Sequence, residues 1–215
     1  MIFIMIEYMT IIIYIVNRRL ETEMRVSREQ VAENRRKILE AAGRLFRERG
    51  FEAVTVADVM QAAGLTHGGF YGYFKSKTDL IAQALAGMLT GTWADGDFAA
   101  YAARYLSPAH CADVAGGCAT AALASETLRQ APEARAVMTA GLRQQIDILS
   151  RHAPGDSAAA RRQAAIGSWA AMVGAMILAR TSNDAALSDE ILEQTRMWLQ
   201  ARHRTGRPSQ VAPQK

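Results

Sequence analysis

Three helix-opening patterns fall within residues 27–79 of this chain: Ser27-Arg28-Glu29-Gln30, Thr55-Val56-Ala57-Asp58 and Ser76-Lys77-Thr78-Asp79. In each, a hydroxyl can accept from the backbone N–H three residues on, while the acidic or amide side chain there reaches back to the cap. Such close spacing calls for short helices joined by tight turns. Apolar residues agree, since Ile38, Leu39, Ala42, Leu45 and Phe46 recur at helical intervals up to Gly50, where a first helix should stop. The second pattern predicts a short helix through about Ala63, closed by Gly64, and the third leads into Leu80, Ile81, Ala84, Leu85, Met88 and Leu89.

Between Gly64 and the third pattern lies Thr66-His67-Gly68-Gly69-Phe70-Tyr71-Gly72-Tyr73-Phe74. Thr66 is expected to cap a short helix starting at His67. Gly68, Gly69 and Gly72 each disfavour that helix by about 1 kcal/mol relative to Ala, which makes sense where something approaches its backbone closely. Two short helices joined at Gly64 and buttressed by longer ones match a helix-turn-helix, whose second helix enters the major groove. Phe70 and Phe74, four apart, would anchor it from behind. Tyr71 and Tyr73 then offer hydroxyls, Lys75 and Lys77 supply charge, and the helix N-terminus presents N–H groups to phosphate. The alternative is that Gly68-Gly69 marks a loop and the tyrosines are packing.

Charge distribution points the same way. The chain has a net charge of +4, and residues 25–80 carry ten basic and seven acidic side chains against nine and eleven in 81–200. A basic segment on a slightly acidic body suits a polyanionic partner. With 50% apolar residues and 5 prolines in 215 residues, the chain is neither disordered throughout nor fibrous. Its 2 cysteines, Cys111 and Cys118, exclude a disulfide scaffold, show no zinc spacing and suit a reducing cytoplasm. Neither metal nor cofactor is expected.

Residues 1–23 form a separate problem. The apolar run Met1–Val16 would make a helix of ~24 Å, shorter than the ~30 Å hydrocarbon core, and carries Glu7 near its centre. Its positive charges follow rather than precede it, unlike a secretory signal. Met24 offers an alternative start, so residues 1–23 are expected to be an over-extended reading frame or a disordered extension, with a membrane anchor as the competing view.

From about Arg35 to Leu89 the chain resembles the DNA-binding domain of the tetracycline-repressor (TetR/AcrR-like) family of transcriptional regulators. The resemblance rests on Ile38-Leu39-Glu40-Ala41-Ala42 through Leu45-Phe46 and Gly50-Phe51, on Thr55-Val56 and Ala63-Gly64-Leu65-Thr66, and above all on Phe70 through Leu80. Gly117-Cys118-Ala119 through Glu126 resembles the start of the regulatory domain in one branch of the family. It implies an all-α fold with an N-terminal helix-turn-helix domain (24–80), a larger helical regulatory and dimerisation domain (81–202) and a basic tail (203–215). It further implies a homodimer on a pseudo-palindromic DNA operator, a repressor released by a small-molecule effector. Carried over by position, His67, Gly68 and Gly69 meet base edges, Tyr71 and Lys77 meet phosphates, and Tyr73 meets either; Arg36, Thr55, Thr66 and Lys75 complete the expected contact set.

Beyond residue 81 the pattern stays helical. Trp93, Phe98, Tyr101 and Tyr105 form an aromatic segment, Pro132 opens a helix through Leu149, Asp156 is expected to cap the next, and Ser188 the last. Small residues around Trp169, Met172 and Met176 suggest a helix buried on several sides. An interface of two helices per subunit is expected through Trp169, Val173, Met176, Ile177, Ile191, Trp198 and Leu199. Trp93, Tyr101, Tyr105, Met138, Trp169, Met172 and Met176 are candidates for lining an effector pocket. No GxSxG, HExxH, GxGxxG or Walker-type sequence suggests an enzyme. A helical interaction module or membrane-tethered sensor is the competing class, but it leaves the glycine-bearing segment without a role.

Overall fold

A computed structural model describes residues 2–90 and 97–205, and among these it is all helix, without a strand. The order is α1 (Ile2–Ala53), α2 (Val56–Ala62), a 3-10 helix (His67–Gly72), α3 (Lys77–Leu89), α4 (Phe98–Tyr105), α5 (Pro108–Ala112), α6 (Ala119–Thr127), α7 (Pro132–Ser150), α8 (Ala158–Thr181) and α9 (Ala185–Thr205). Trp93 and residues 206–215 lie outside the described residues, as do the side chains before Ser27.

The head is built from α1–α3 around a core in which Ile38, Phe46, Phe51, Phe70, Phe74 and Leu80 are at most 2% exposed. Two of the expected caps form. Thr55 Oγ1 accepts from Asp58 N at 3.1 Å while Asp58 accepts from Thr55 N at 2.8 Å, and Ser76 Oγ accepts from Asp79 N. The first does not: α1 runs unbroken through Ser27–Gln30. The residues before it, Arg18-Arg19-Leu20-Glu21, are good helix formers, so the backbone never makes the turn that a cap requires. The same helix passes through Met24 without a break.

Gly50 interrupts α1 with φ 80°, a left-handed conformation that any side chain would strain. The break frees Phe51 N–H, which donates to Glu126 Oε2 of α6 at 2.7 Å. Arg47 donates from Nε to the carbonyl of Ala115 nearby. The head is thus tied to the body at the point where its first helix ends.

In the body, α7, α8 and α9 pack side by side, with α4–α6 across them and the head docked through α3 and α6. Pro132 opens α7 as expected. Elsewhere the caps shift: Ser157 rather than Asp156 caps α8, its Oγ accepting from Ala160 N, and Asp184 rather than Ser188 caps α9, accepting from Ala186 N. Ser188 instead donates to the carbonyl of Ala179, pinning α9 to α8. Residues 203–205, expected within a disordered tail, continue α9, and the His203 ring stacks on Phe98 with centroids 3.5 Å apart. Among the described residues, α8 is the one helix long and apolar enough to cross a membrane, and 39% of its most apolar window is buried within the subunit.

Candidate nucleic-acid interface and effector cavity

The glycine-bearing segment forms a 3-10 helix, Gly69 N–H donating to Thr66 O and Tyr73 N–H to Phe70 O, rather than the expected α-helix. Three glycines in six residues remove the propensity that would extend an α-helical ladder, and short runs fall back on i→i+3 bonding. Phe70 and Phe74 face inward, stacked 5.7 Å apart, so the opposite face turns out. On it stand Thr66, His67, Gly68, Tyr71 and Gly72, all exposed, with Tyr71 at 77%.

Gly68 and Gly72 have negative or extended φ, and a Cβ on either would meet nothing within 4 Å. Neither backbone geometry nor internal packing requires glycine there. Both positions open onto free space beside the chain. Thr66 occupies the N-cap position, yet its hydroxyl makes no capping bond. Thr55 and Lys75 are exposed beside this face; Gly69 is half-buried, and a Cβ on it would make only ordinary contacts, the nearest at 3.8 Å. The carboxyls of Asp58 and Asp79 are held below the usual range, Asp58 by the Thr55 hydroxyl and N–H, Asp79 by the Gln83 amide and the Lys75 N–H.

Three expected contact residues are less available than the sequence suggests. Arg36 on α1 is paired with Glu33 at 2.7 Å and with Glu40. Tyr73 is half-buried, and its hydroxyl accepts from Asn34 Nδ2 at 2.9 Å, which leaves the O–H to donate. Lys77 is half-buried, with Nζ 3.5 Å from the carbonyl of Glu52, at the end of α1. Asn34, four residues from Gln30 and hydrogen-bonded to it, was not singled out in the sequence; its role depends on a residue 39 positions away.

The body holds a cavity of about 520 Å³ between the end of α3, α4–α6, α7 and α8. Tyr101, Tyr105 and Trp169 line it, as expected, but Met138, Met172 and Met176 do not; they are 6%, 0% and 0% exposed within the hydrophobic cores. Lining residues the sequence reading missed include Met88, His110, Cys118 and Gln145. Gln145 donates to the Tyr101 hydroxyl at 3.2 Å, and Cys118 caps α6, its Sγ accepting from Ala121 N. Burial and then the neighbouring Cys118 thiol push the Tyr101 and Tyr105 hydroxyls well above the usual phenol range. Arg180 secures the wall, donating to the carbonyls of His110, Cys111 and Asp113 at 2.9–3.2 Å.

Of the expected interface residues, Trp169, Met176 and Leu199 are buried inside the subunit, at 8%, 0% and 0% exposure, because α7 and α9 already cover that side of α8. Val173 and Ile191 are half-buried, while Ile177 and Trp198 are exposed. The open stripe of α8 is Ile166, Gly167, Ala170, Val173, Gly174 and Ile177.

Known proteins resemble this chain in part of its sequence and in its fold. The family model for bacterial regulatory proteins, tetR family, matches residues 38–84. The chain is 41% identical over 69 residues to the transcriptional regulator TtgR of Pseudomonas putida, the match covering 32% of each. It is 40% identical over 60 residues to the transcriptional repressor KstR2 of Mycobacterium tuberculosis, covering 28% of this chain and 30% of that one. It therefore spans about a third of the length of these curated relatives. The fold extends further. A TetR-family transcriptional regulator from Agrobacterium tumefaciens superposes with a TM-score of 0.61 at 23% identity, covering 78% of this chain and 98% of that one. The reduced form of E. coli NemR does so at 0.59 and 20%, covering 78% and 95%.

Proposed function

We propose that this chain, which belongs to the tetR family of bacterial regulatory proteins, is a homodimeric repressor of transcription that binds a pseudo-palindromic DNA operator and leaves it when a small molecule enters the body. One observation carries the reading: the exposed face of His67–Gly72 bears glycines that nothing within the chain requires. There a sugar-phosphate backbone or thymine methyl can come close, with His67 placed for base edges and Tyr71 and Lys75 for phosphate. Lys77 and Tyr73 contribute by exchanging or sharing the bonds they hold to Glu52 and Asn34. Thr55 and Thr66 offer hydroxyls at the edges of the same surface, and Gly68 and Gly69 let the duplex approach.

The open stripe of α8 supports the dimer. Ile166, Val173 and Ile177 are apolar, and Gly167, Ala170 and Gly174 let a second helix approach closely. With Trp198 of α9, 48% exposed, the stripe forms a self-complementary face for a four-helix bundle about a two-fold axis. Two heads so related read half-sites about one helical turn, ~34–36 Å, apart. A gel shift on the DNA flanking the gene tests the reading. The expected result is a saturable complex whose log affinity falls linearly with log salt; a shift that is indifferent to DNA sequence would contradict it.

A further inference from the structure

The geometry points to an organic monocarboxylate as the occupant of the 520 Å³ cavity, its carboxylate held at the first turn of α6. The inference rests on reading the body as an effector-binding domain and names the ligand class that domain takes. Gly117, Cys118, Ala119 and Thr120, the residues through which α6 begins, all line the cavity. Cys118 closes part of that turn itself: its Sγ accepts from Ala121 N and its carbonyl from Ala122 N. The N–H groups of Ala119 and Thr120 have no acceptor among the described residues. Two adjacent donors at the positive end of a helix dipole suit a carboxylate.

A side chain points to a ligand there independently. Three polar residues are buried among the described residues: Thr120, Thr127 and Ser168. Thr127 donates to the carbonyl of Leu123 at 2.8 Å, and Ser168 Oγ lies 3.3 Å from His203 Nε2. Thr120, 7% exposed, has no such partner among the described residues. Its Oγ1 is not sealed from solvent, and the space this residue lines is the cavity. A hydroxyl so placed can join the two N–H groups as a third donor to one carboxylate.

The wall behind this turn is positive. Arg180 donates to the carbonyls of His110, Cys111 and Asp113, forms no ion pair among the described residues, and keeps a buried Nη1 without a partner. That atom is sealed, so it touches no ligand. Its charge acts instead across Gly117, where a Cβ would run into the Asp113 carbonyl and lie 2.6 Å from Arg180 Nη2. Glycine there lets the guanidinium stand directly behind the cavity lining. A cation held only by carbonyls is short of a counter-ion, and a carboxylate in the cavity supplies one. One such cation matches a single negative charge, which favours a monocarboxylate over a phosphate dianion. Among the lining residues Asp113 carries the only carboxyl, exposed and accepting from Gly116 N at 2.8 Å, while the exposed Arg104 lies over the Tyr101 ring at 5.8 Å. Met88, Leu89 and Tyr101 take the apolar part of the molecule, and the volume is within the range of small-ligand sites.

Titration calorimetry on the full chain without DNA tests this with two acid–amide pairs, one flat and one flexible: 2-naphthoate with 2-naphthamide, and octanoate with octanamide. In the frame that fits, the acid should bind about tenfold tighter than its amide, which keeps the shape and loses the charge. Thr120→Val should weaken acid binding about fivefold, whereas Arg104→Gln, at the exposed rim, should leave it within about twofold. Neither acid binding saturably, an amide matching the acid that binds, or Arg104→Gln costing more than Thr120→Val would overturn the proposal. The wild-type pairs decide even if a variant fails to fold. Acid binding that leaves the DNA complex intact keeps the ligand class and removes the effector role instead.

Discussion

The head and the body bury their aromatic residues to opposite ends. In the head, Phe46, Phe51, Phe70 and Phe74 fill a core at most 2% exposed, and the polar groups with work to do stand outside it. In the body, Tyr101, Tyr105 and Trp169 line a cavity of about 520 Å³. On the proposed function, the head presents a surface to something larger than itself, whereas the body keeps a cavity for something smaller. That reading separates stability from function in the first region and entangles them in the second.

That contrast can be broken in the head. Phe74→Ala should destabilise the chain by about 3–5 kcal/mol, as for other large core truncations, seen as a lower denaturant midpoint. Tyr71→Ala, three residues away but 77% exposed, should leave stability within about 0.5 kcal/mol while abolishing the DNA complex. Equal losses of stability would mean that Tyr71 is a packing residue.

The junction between the regions gives the next largest effect. Gly50→Ala forces a side chain into φ 80° and against the Glu126 carboxylate, and should destabilise by about 2 kcal/mol in thermal unfolding. Ile177→Glu places a charge on the open stripe of α8. It should convert dimers to monomers in analytical ultracentrifugation and weaken operator binding by about tenfold or more, because the second half-site is no longer held nearby.

Smaller effects sharpen the assignment of roles. Tyr71→Phe and Lys77→Ala should each weaken binding by ~1 kcal/mol on every DNA sequence, the lysine change also lowering the salt slope by about 1, while His67→Ala should alter base preference. Filter binding across a panel of sites distinguishes these outcomes. Gln145→Ala, which removes the donor to the Tyr101 hydroxyl on the cavity wall, should cost about 1 kcal/mol of stability in thermal unfolding. Unchanged stability would show that this bond adds nothing to the fold.

The head was more legible in the sequence than the body, for a physical reason. Its elements are set by local chemistry: Thr55 and Ser76 cap, Gly64 takes φ 72°, and the apolar Phe70 and Phe74 go to the core on either side of the glycines. Even so, a capping pattern can sit inside a longer helix, as at Ser27, because the same residues are tolerated there when the chain upstream is already helical. The 3-10 geometry of His67–Gly72 was also hidden, since glycine spacing says where a helix is weak and not how it tightens.

In the body, the sequence showed that α8 is apolar around much of its circumference but not which side meets α7 and α9. Trp169 and Met176 went to the core and Ile177 to the surface because of neighbours far along the chain. The cavity was half legible. Aromatic residues marked Tyr101, Tyr105 and Trp169, whereas His110, Cys118 and Gln145 come from three different elements with no spacing in common. The Gln145–Tyr101 bond on its wall joins residues 44 positions apart and exists only in three dimensions.

The central claim is that the face of His67–Gly72 reads DNA in two copies. Selection of duplexes from a randomised pool by the full chain, followed by sequencing, tests it most directly. The account predicts an inverted pair of half-sites centred about 10 base pairs apart, lost with Tyr71→Ala and changed in sequence with His67→Ala. A pool without an enriched motif, or the same motif from all three proteins, would contradict it.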